Sequence, residues 1–386
     1  MDKVTVTKRG ADRIRAGHLW IYRGDVLNSS AAAGSVVSVH DKHGNFVGQA
    51  LFSNCSEITL RFLTQSDEVV DREWWRRRIL EAVERRARII SETEAYRMVY
   101  SEGDLLPSLI IDRYADVLVL QTLSQGTDAI KRLLIELLVE EYAPDAVIER
   151  NDVRIRELEG LDLVAGVVYG RAPESLEIRQ HGVRLRVAPL AGQKTGAFLD
   201  QRENYLAARE HARGRGLDCF TFAGGFALNL AGVCETVKAL DISADAIAAG
   251  RENAAINNCQ NVEFSETNVF DALREMEQAG QRFDTIVLDP PAFAKNRASI
   301  KSAMRGYKEI NLRALKLLNP SGVLITCTCS YHMSETMFLE VIGAAANDAH
   351  RRLQLVEKRT QASDHPVLFG VPETHYLKCM IARVLD

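Results

Sequence analysis

The chain has 386 residues, with 46% hydrophobic and 26% charged side chains, a composition that excludes wholesale disorder and exceeds what one hydrophobic core usually serves. Its 48 Lys/Arg against 52 Asp/Glu leave a net charge of −4, which argues against bulk electrostatic capture of polyanions but not against a local basic face. Seven scattered cysteines, a charged start (MDKVTVTKRG) and the absence of any apolar run near ~18 residues predict a reduced, cytoplasmic, multidomain protein without a membrane span.

Taken in chain order, residues 3–70 read as short strands punctuated by glycine turns. GSVVSVHDKHGNFVGQALF alternates apolar and polar residues around Gly34, Gly44 and Gly48, and SEITLRFLT keeps the period of two, so a small β-barrel is expected. REWWRRRILEAVERRARII (72–90) places Ile79, Val83 and Ala87 at helical spacing. Residues 1–90 hold 15 Lys/Arg against 11 Asp/Glu, and Arg72, Arg76, Arg77, Arg78, Arg85, Arg86 and Arg88 crowd beside Trp74 and Trp75. The two tryptophans are either core anchors or base-stacking platforms.

From about residue 95 the pattern predicts a small α+β unit. RMVYSEGDLLPSLIIDRYADVLVLQTL reads as two strands around a turn and TDAIKRLLIELLVEEY as an amphipathic helix stopped before Pro144. AVIERND, VVYGRA, LEIRQHG and VRLRVAP read as strands. Beyond about residue 191 strand and helix alternate, the mark of a parallel sheet covered on both faces. Strands are expected at GLDCFTF, ETVKALDIS, NVEFSETN, RFDTIVLDPP and GVLITCTCS, and HYLKCMIARV reads as a late strand closing the sheet. No internal repeat or low-complexity tract interrupts the chain.

Five constellations in this last segment carry chemistry. Gly224 and Gly225 follow the first strand, where glycine permits positive φ and close approach of a ligand to the backbone, yet no GxGxxG dinucleotide fingerprint is present. Asp241 ends the second strand, where an acid accepts hydrogen bonds from ribose hydroxyls; Ser243 competes for the role of helix cap. Asp289-Pro290-Pro291, followed by Phe293, ends the fourth strand and exposes a carboxylate at the sheet's C-terminal edge. Cys327 and Cys329 end the fifth. Cys329, at the exit, is the candidate nucleophile, since no second Cys/His pair completes a metal site and adjacent same-face strand residues are too far apart for a disulfide. Finally GQKTGAFLDQREN gathers Gln193, Lys194, Thr195, Asp200 and Arg202 around Phe198.

GDLLPSLIIDRYADVLVLQ, GQKTGAFLDQREN, DCFTFAGGFALN, LDIS, LDPPAFAK and TCTCS, in this order and spacing, resemble the bacterial 23S ribosomal RNA cytosine-5 methyltransferases of the large-subunit methyltransferase I type. The resemblance covers essentially the whole chain. It implies a multidomain α/β protein: a PUA-like barrel at 1–72, a connecting helix and central α+β domain at 73–190, and a Rossmann-like S-adenosylmethionine (SAM) methyltransferase domain at 191–386. It further implies that Phe220, Gly224 and Gly225 flank the methionine part of SAM, Asp241 with Ile242 meets the ribose, and Asn268 meets the adenine where the pattern more often has an acid. Thr195, Phe198 and Arg202 would line the pocket mouth, with Asp289 at the boundary of cofactor and substrate. Cys329 would attack cytosine C6 while Asp289 holds the ring, and Pro290, Pro291, Phe293, Lys194, Arg76 and Arg77 would contact RNA; Ala292 stands where a lysine is often found. The implied partner is 23S ribosomal RNA, free or in a precursor particle, with no metal and no membrane, and a homodimer is left open. The rival expectations are a SAM enzyme acting on guanine or an exocyclic amine without a thiol, a nicotinamide oxidoreductase, and a non-catalytic RNA-binding factor.

Overall fold

The computed structural model describes all residues other than 193, 194 and 295. It separates into two compact units: Met1–Ile178 with Val187–Leu199 and Ser363–Thr374, and Arg179–Arg186 with Asp200–Ala362 and His375–Asp386.

The first unit opens with a six-stranded sheet, β1 (Asp2–Val6), β2 (Trp20–Tyr22), β3 (Val26–Ser29), β4 (Val36–Asp41), β5 (Phe46–Phe52) and β6 (Ile58–Thr64), in the order β2-β6-β5-β4-β1-β3. Sequence reasoning expected only strands here, but Lys8–Arg15 forms a helix, α1. Thr7 caps it by accepting from the Gly10 amide, and Ala11 and Ile14 are buried beneath it. Helix α2 (Arg72–Ile89) starts where the Asp71 carboxylate accepts from the Trp74 amide. Trp74 and Trp75 are each 2% exposed and pack edge to face, 5.0 Å between centroids, so both are core anchors and neither is a stacking platform.

The central sheet contains β7 (Ala95–Tyr100), β8 (Leu109–Tyr114), β9 (Val117–Thr122), β10 (Ala146–Asn151) and β11 (Val164–Gly170), in the order β11-β10-β9-β8-β7. The segment expected to hold two strands holds three, because Ala115 adopts φ +51° and lets β8 and β9 form a tight hairpin. The helical segment is two pieces, α3 (Gln125–Ala129) and α4 (Lys131–Tyr142). A hairpin of β12 (Leu176–Gln180) and β13 (Val183–Val187) follows.

The second unit is built on seven strands: β14 (Arg215–Cys219), β15 (Thr236–Asp241), β16 (Val262–Glu266), β17 (Phe283–Leu288), β18 (Leu318–Thr328), β19 (Leu353–Arg359) and β20 (Lys378–Val384). Their order is β16-β15-β14-β17-β18-β20-β19. The first five run parallel, and β20 runs antiparallel to both neighbours. The late strand therefore lies inside the sheet, and β19 forms the edge. Helices α5 (Arg202–His211), α6 (Gly225–Ala231), α7 (Ala244–Ile256), α8 (Val269–Gln278), α9 (Ile300–Leu317) and α10 (Glu335–Asp348) accompany the strands. Chain order reverses between β14 and β17, and the carboxyl ends of strands at such a reversal are the ordinary ligand position in doubly wound sheets. Among the described residues, no helix is long and apolar enough to cross a membrane.

Candidate active site

The loop after β14 is held in an uncommon shape. Phe220 and Phe222 adopt φ +66° and +50°, a left-handed conformation that costs a non-glycine residue about 1–2 kcal/mol. Neighbouring bonds impose it: the Thr221 amide donates to Leu240 O (2.9 Å), the Thr221 hydroxyl to Asp218 Oδ2 (2.6 Å), and the Phe222 amide to Asp241 Oδ2 (2.9 Å). Gly224, at φ +90°, sits where a side chain is strained, and a Cβ on Gly225 would lie 2.5 Å from the Tyr205 ring. One glycine thus serves the turn and the other the packing of α6 on Tyr205.

Asp241 stands beside this loop at the end of β15. Its Oδ2 holds Phe222 and its Oδ1 accepts from the Ser243 amide (3.0 Å), while the helix-capping role falls to Ser243 itself, which accepts from Ala246. Each carboxylate oxygen retains acceptor capacity for a ribose hydroxyl. Next to it Ile242 is 69% exposed. Asn268 caps α8 by accepting from the Phe270 amide (2.9 Å), and its oxygen has a second lone pair to offer. These donors and acceptors, with the tight glycine turn, fit an adenosine-type cofactor.

Asp218 lies under the loop, fully buried. Its Oδ2 accepts from Thr221 and from the Ala227 amide (2.9 Å), but Oδ1 has no hydrogen-bond partner. Burial, reinforced by the nearby Asp289 and Asp241 charges, pushes its carboxyl up to about 7.

Asp289 leaves β17 half-buried, with its amide on Cys219 O (3.3 Å) and its Oδ1 accepting from Gln201 Nε2 (2.9 Å); Gln201 in turn accepts from Asn204 (2.6 Å). Pro290 is buried and Pro291 exposed. Phe293 turns back to face Tyr307, ring centroids 4.6 Å apart.

Cys329 emerges half-buried from β18, next to β17 in the sheet. Both residues flanking it are clamped by the buried Tyr307 hydroxyl, which accepts from Thr328 Oγ1 (2.7 Å) and lies 2.9 Å from Ser330 Oγ. Ser330 Oγ also accepts from the Ala294 amide (3.1 Å), tying the DPPAFA loop to the TCTCS turn. Cys327 points into the core beside Cys379, and burial pushes its thiol far up, so it is inert next to its exposed-side neighbour.

Asp241, Ile242, Asn268, Phe220, Gly224, Gly225, Arg202, Asp289, Pro290, Pro291, Phe293 and Cys329 all belong to the second unit. Arg202 is 2% exposed, beside Glu203. Thr195 and Phe198 belong to the first unit, where the Thr195 hydroxyl donates to Asp112 Oδ2 (2.6 Å) and meets Tyr114 (3.0 Å). Lys194 lies outside the described residues. Arg76 and Arg77 are also in the first unit and are charge-compensated, Arg76 by Glu141 (2.5 Å) and Arg77 by Glu68 (2.9 Å). Arg72, Arg78, Arg85, Arg86 and Arg88 pair likewise with Glu140, Glu81, Asp104 (both Arg85 and Arg86) and Glu84. Sequence reasoning missed Gln201, Tyr307, Ser330 and Lys378. Of these only Lys378 had a visible signal, a lysine opening the mostly apolar strand LKCMIARV.

Residues 4–65 match a PUA-like domain and residues 117–380 the S-adenosylmethionine-dependent methyltransferases. A ribosomal RNA large subunit methyltransferase I of Shewanella frigidimarina is 39% identical over 98% of both chains, and one of Erwinia tasmaniensis is 39% identical over 95% of this chain and 96% of its own. A methyltransferase crystallised with S-adenosylhomocysteine superposes with a TM-score of 0.87 over the full length of both chains at 20% identity, and one from Streptococcus mutans with 0.85, also full length at 20%. The chain belongs to the S-adenosylmethionine-dependent methyltransferase family, in the branch of the large subunit methyltransferase I proteins that carry a PUA-like domain ahead of the catalytic sheet.

Proposed function

We propose that the chain methylates C5 of a cytosine in 23S ribosomal RNA through a covalent bond between Cys329 and cytosine C6. The observation that carries this reading is the placement of Cys329: a cysteine at the exit of β18, clamped on both sides through Tyr307, on the edge where Asp289 leaves the adjacent strand. The names of the relatives and the PUA-like domain support ribosomal RNA as the substrate.

Cytosine C5 is a weak nucleophile. Addition of the Cys329 thiolate to C6 makes C5 enamine-like, Asp289 holds the ring at N3 or the amino group, and C5 would take the methyl group with S-adenosylhomocysteine as the leaving group. The C5 proton then leaves, the S–C6 bond breaks, and the thiolate returns. S-adenosylmethionine, when bound, supplies an electrophilic methyl group. Asp241 and Asn268 would hold its ribose and adenine, and Phe220, Gly224 and Gly225 its methionine end. The sulfur must reach the ring face, so the base has to be flipped or single-stranded.

The test is transfer from labelled S-adenosylmethionine to unmodified 23S RNA, with digestion to nucleosides and mass spectrometry, wild type beside Cys329→Ala. Label in 5-methylcytidine that vanishes in the variant is expected. Label in another nucleoside, or activity that survives Cys329→Ala, replaces this reading by a methyltransferase acting on another base without a thiol.

A further inference from the structure

Lys378 opens β20 directly opposite Thr328 in the antiparallel pairing with β18, one residue from Cys329. Its side chain is 4% exposed, and its Nζ reaches two carbonyls, Tyr376 O at 3.2 Å and Ser330 O at 3.5 Å. Among the described residues no carboxylate lies within ion-pair distance of it; Glu335, an acid within its field, is engaged by Lys358 at 2.7 Å. A buried ammonium with carbonyl partners alone is costly, because burial removes its hydration without returning a counter-charge. Of the two described groups within its field, Glu335 already has Lys358, and Cys329 can supply that charge.

We propose that Lys378 is a positioning residue that holds the Cys329 sulfur as a thiolate by serving as its buried counter-ion. This rests on the reading of Cys329 as nucleophile. The exchange is a deprotonation: the thiol proton passes to solvent and the electron pair stays on sulfur, ready to form the bond to C6. Burial pushes the Lys378 ammonium below its usual range, and Cys329 and Glu335 pull it back, so thiolate and ammonium stabilise each other.

The other described titratable groups around this point do not provide the same help. Tyr307, from α9, is pushed up by burial and by Cys329, so it stays a neutral hydroxyl that orients Thr328 and Ser330. Glu335, from α10, bears the wrong sign. His375, three residues before Lys378, is pushed down by burial and by Lys378, and is thereby neutral at physiological pH. Asp289, at the end of β17, acts on Cys327 and opposes ionisation. His332, three residues beyond Cys329, packs edge-on against the Tyr331 ring, centroids 5.2 Å apart. Among the described residues of this cluster, the lysine is the buried cation.

The test is the pH profile of alkylation by iodoacetamide, read peptide by peptide by mass spectrometry on the full-length protein without RNA. Exposed Cys55 is the internal reference, and buried Cys219, Cys327 and Cys379 report on folding, since they stay protected only in the native state. Cys329 is expected to inflect about one pH unit or more below Cys55. Lys378→Met and Lys378→Gln should move that inflection up by about one unit, and Lys378→Arg, which keeps the charge, should restore it. A purely structural lysine would move protection of the buried cysteines, not this inflection. A wild-type Cys329 that titrates with Cys55, an inflection unmoved by Lys378→Met, or one that Lys378→Arg does not restore overturns the proposal. The wild-type comparison decides even if every variant fails to fold. Methyl transfer that survives Cys329→Ala overturns the nucleophile reading instead, and the alkylation profile is independent of that result.

Discussion

The backbone amide of Ala294 donates to the hydroxyl of Ser330 at 3.1 Å. Thirty-six positions separate them in the chain, one in the loop after β17 and the other in the turn after β18. Because the two strands are parallel neighbours, their exits lie side by side, and this bond joins the loop carrying Asp289 to the turn carrying Cys329. The carboxylate and the sulfur are thus held on one rigid edge rather than on two independent loops.

Tyr307→Phe should test that clamp. The hydroxyl is the shared partner of Thr328 and Ser330, and its loss removes two buried hydrogen bonds worth roughly 1–3 kcal/mol together. Thermal stability should fall by a few degrees and kcat for methyl transfer by about tenfold, while the S-adenosylmethionine Kd stays put. Calorimetry and single-turnover kinetics on the same preparation separate the effects.

Asp241→Asn should weaken cofactor binding. Asparagine keeps one acceptor for the Phe222 or Ser243 amide but loses the charge that strengthens bonds to ribose hydroxyls, a loss of about 1.5–3 kcal/mol or roughly 10- to 150-fold in Kd. Isothermal titration with S-adenosylmethionine reads this directly. RNA affinity should be unaffected.

Asp218 makes stability fall as pH rises. Its folded carboxyl titrates at about 7, above the value near 4 expected of the unfolded chain, so between these values the unfolded state ionises while the folded state keeps its proton. The folded state is therefore favoured in full below pH 4 as far as this group is concerned, loses ground up to about pH 7, and loses no more above it; the whole effect is about 4 kcal/mol. Asp218→Asn should abolish this component, so the variant's thermal midpoint should exceed the wild type's at pH 8 and converge on it near pH 4. An amide NH2 in place of the unpartnered Oδ1 leaves the bonds from Thr221 and Ala227 intact.

Charge reversal at Arg76 and Arg77 addresses the arginine-rich helix. If the helix grips phosphates, Arg76→Glu with Arg77→Glu should weaken RNA binding and lower its log–log salt slope by about two, with S-adenosylmethionine affinity unchanged. Both arginines are already paired with glutamates, so reversal also sets like charges together. Equal loss of RNA and cofactor binding, measured by filter retention and calorimetry, identifies the helix as structural.

Much of this protein is legible in its one-dimensional pattern. The period of two in residues 34–64, the alternation of strand and helix after residue 200 and the prolines after Asp289 are local facts, and β4–β6, β14–β18 and the end of β17 just before Asp289 stand where those facts place them. Local patterning failed where tertiary context overrides it. Helix α1 is only eight residues, too short for its periodicity to stand out, and is stabilised by the Thr7 cap and by Ile14 inserted into the barrel core. Edge strand β19 is exposed along most of its length, so LQLVEKR lacks an apolar signature.

Residue type and spacing alone determined which chemistry to look for: a thiol at one strand exit, a carboxylate at the next, and an acid after a glycine turn. Which of the charged side chains are free to act was decided by the tertiary structure. Arg86 and Arg88 read alike in sequence, yet Arg86 is 2% exposed and bonded to Asp104, Arg97 O and Asp364 O, whereas Arg88 is a surface partner of Glu84. Lys378 becomes a counter-ion candidate only because β20 threads between β18 and β19 and sets it opposite Thr328. Periodicity records how each segment meets water, but burial and charge pairing depend on long-range partners that only the folded chain brings within reach.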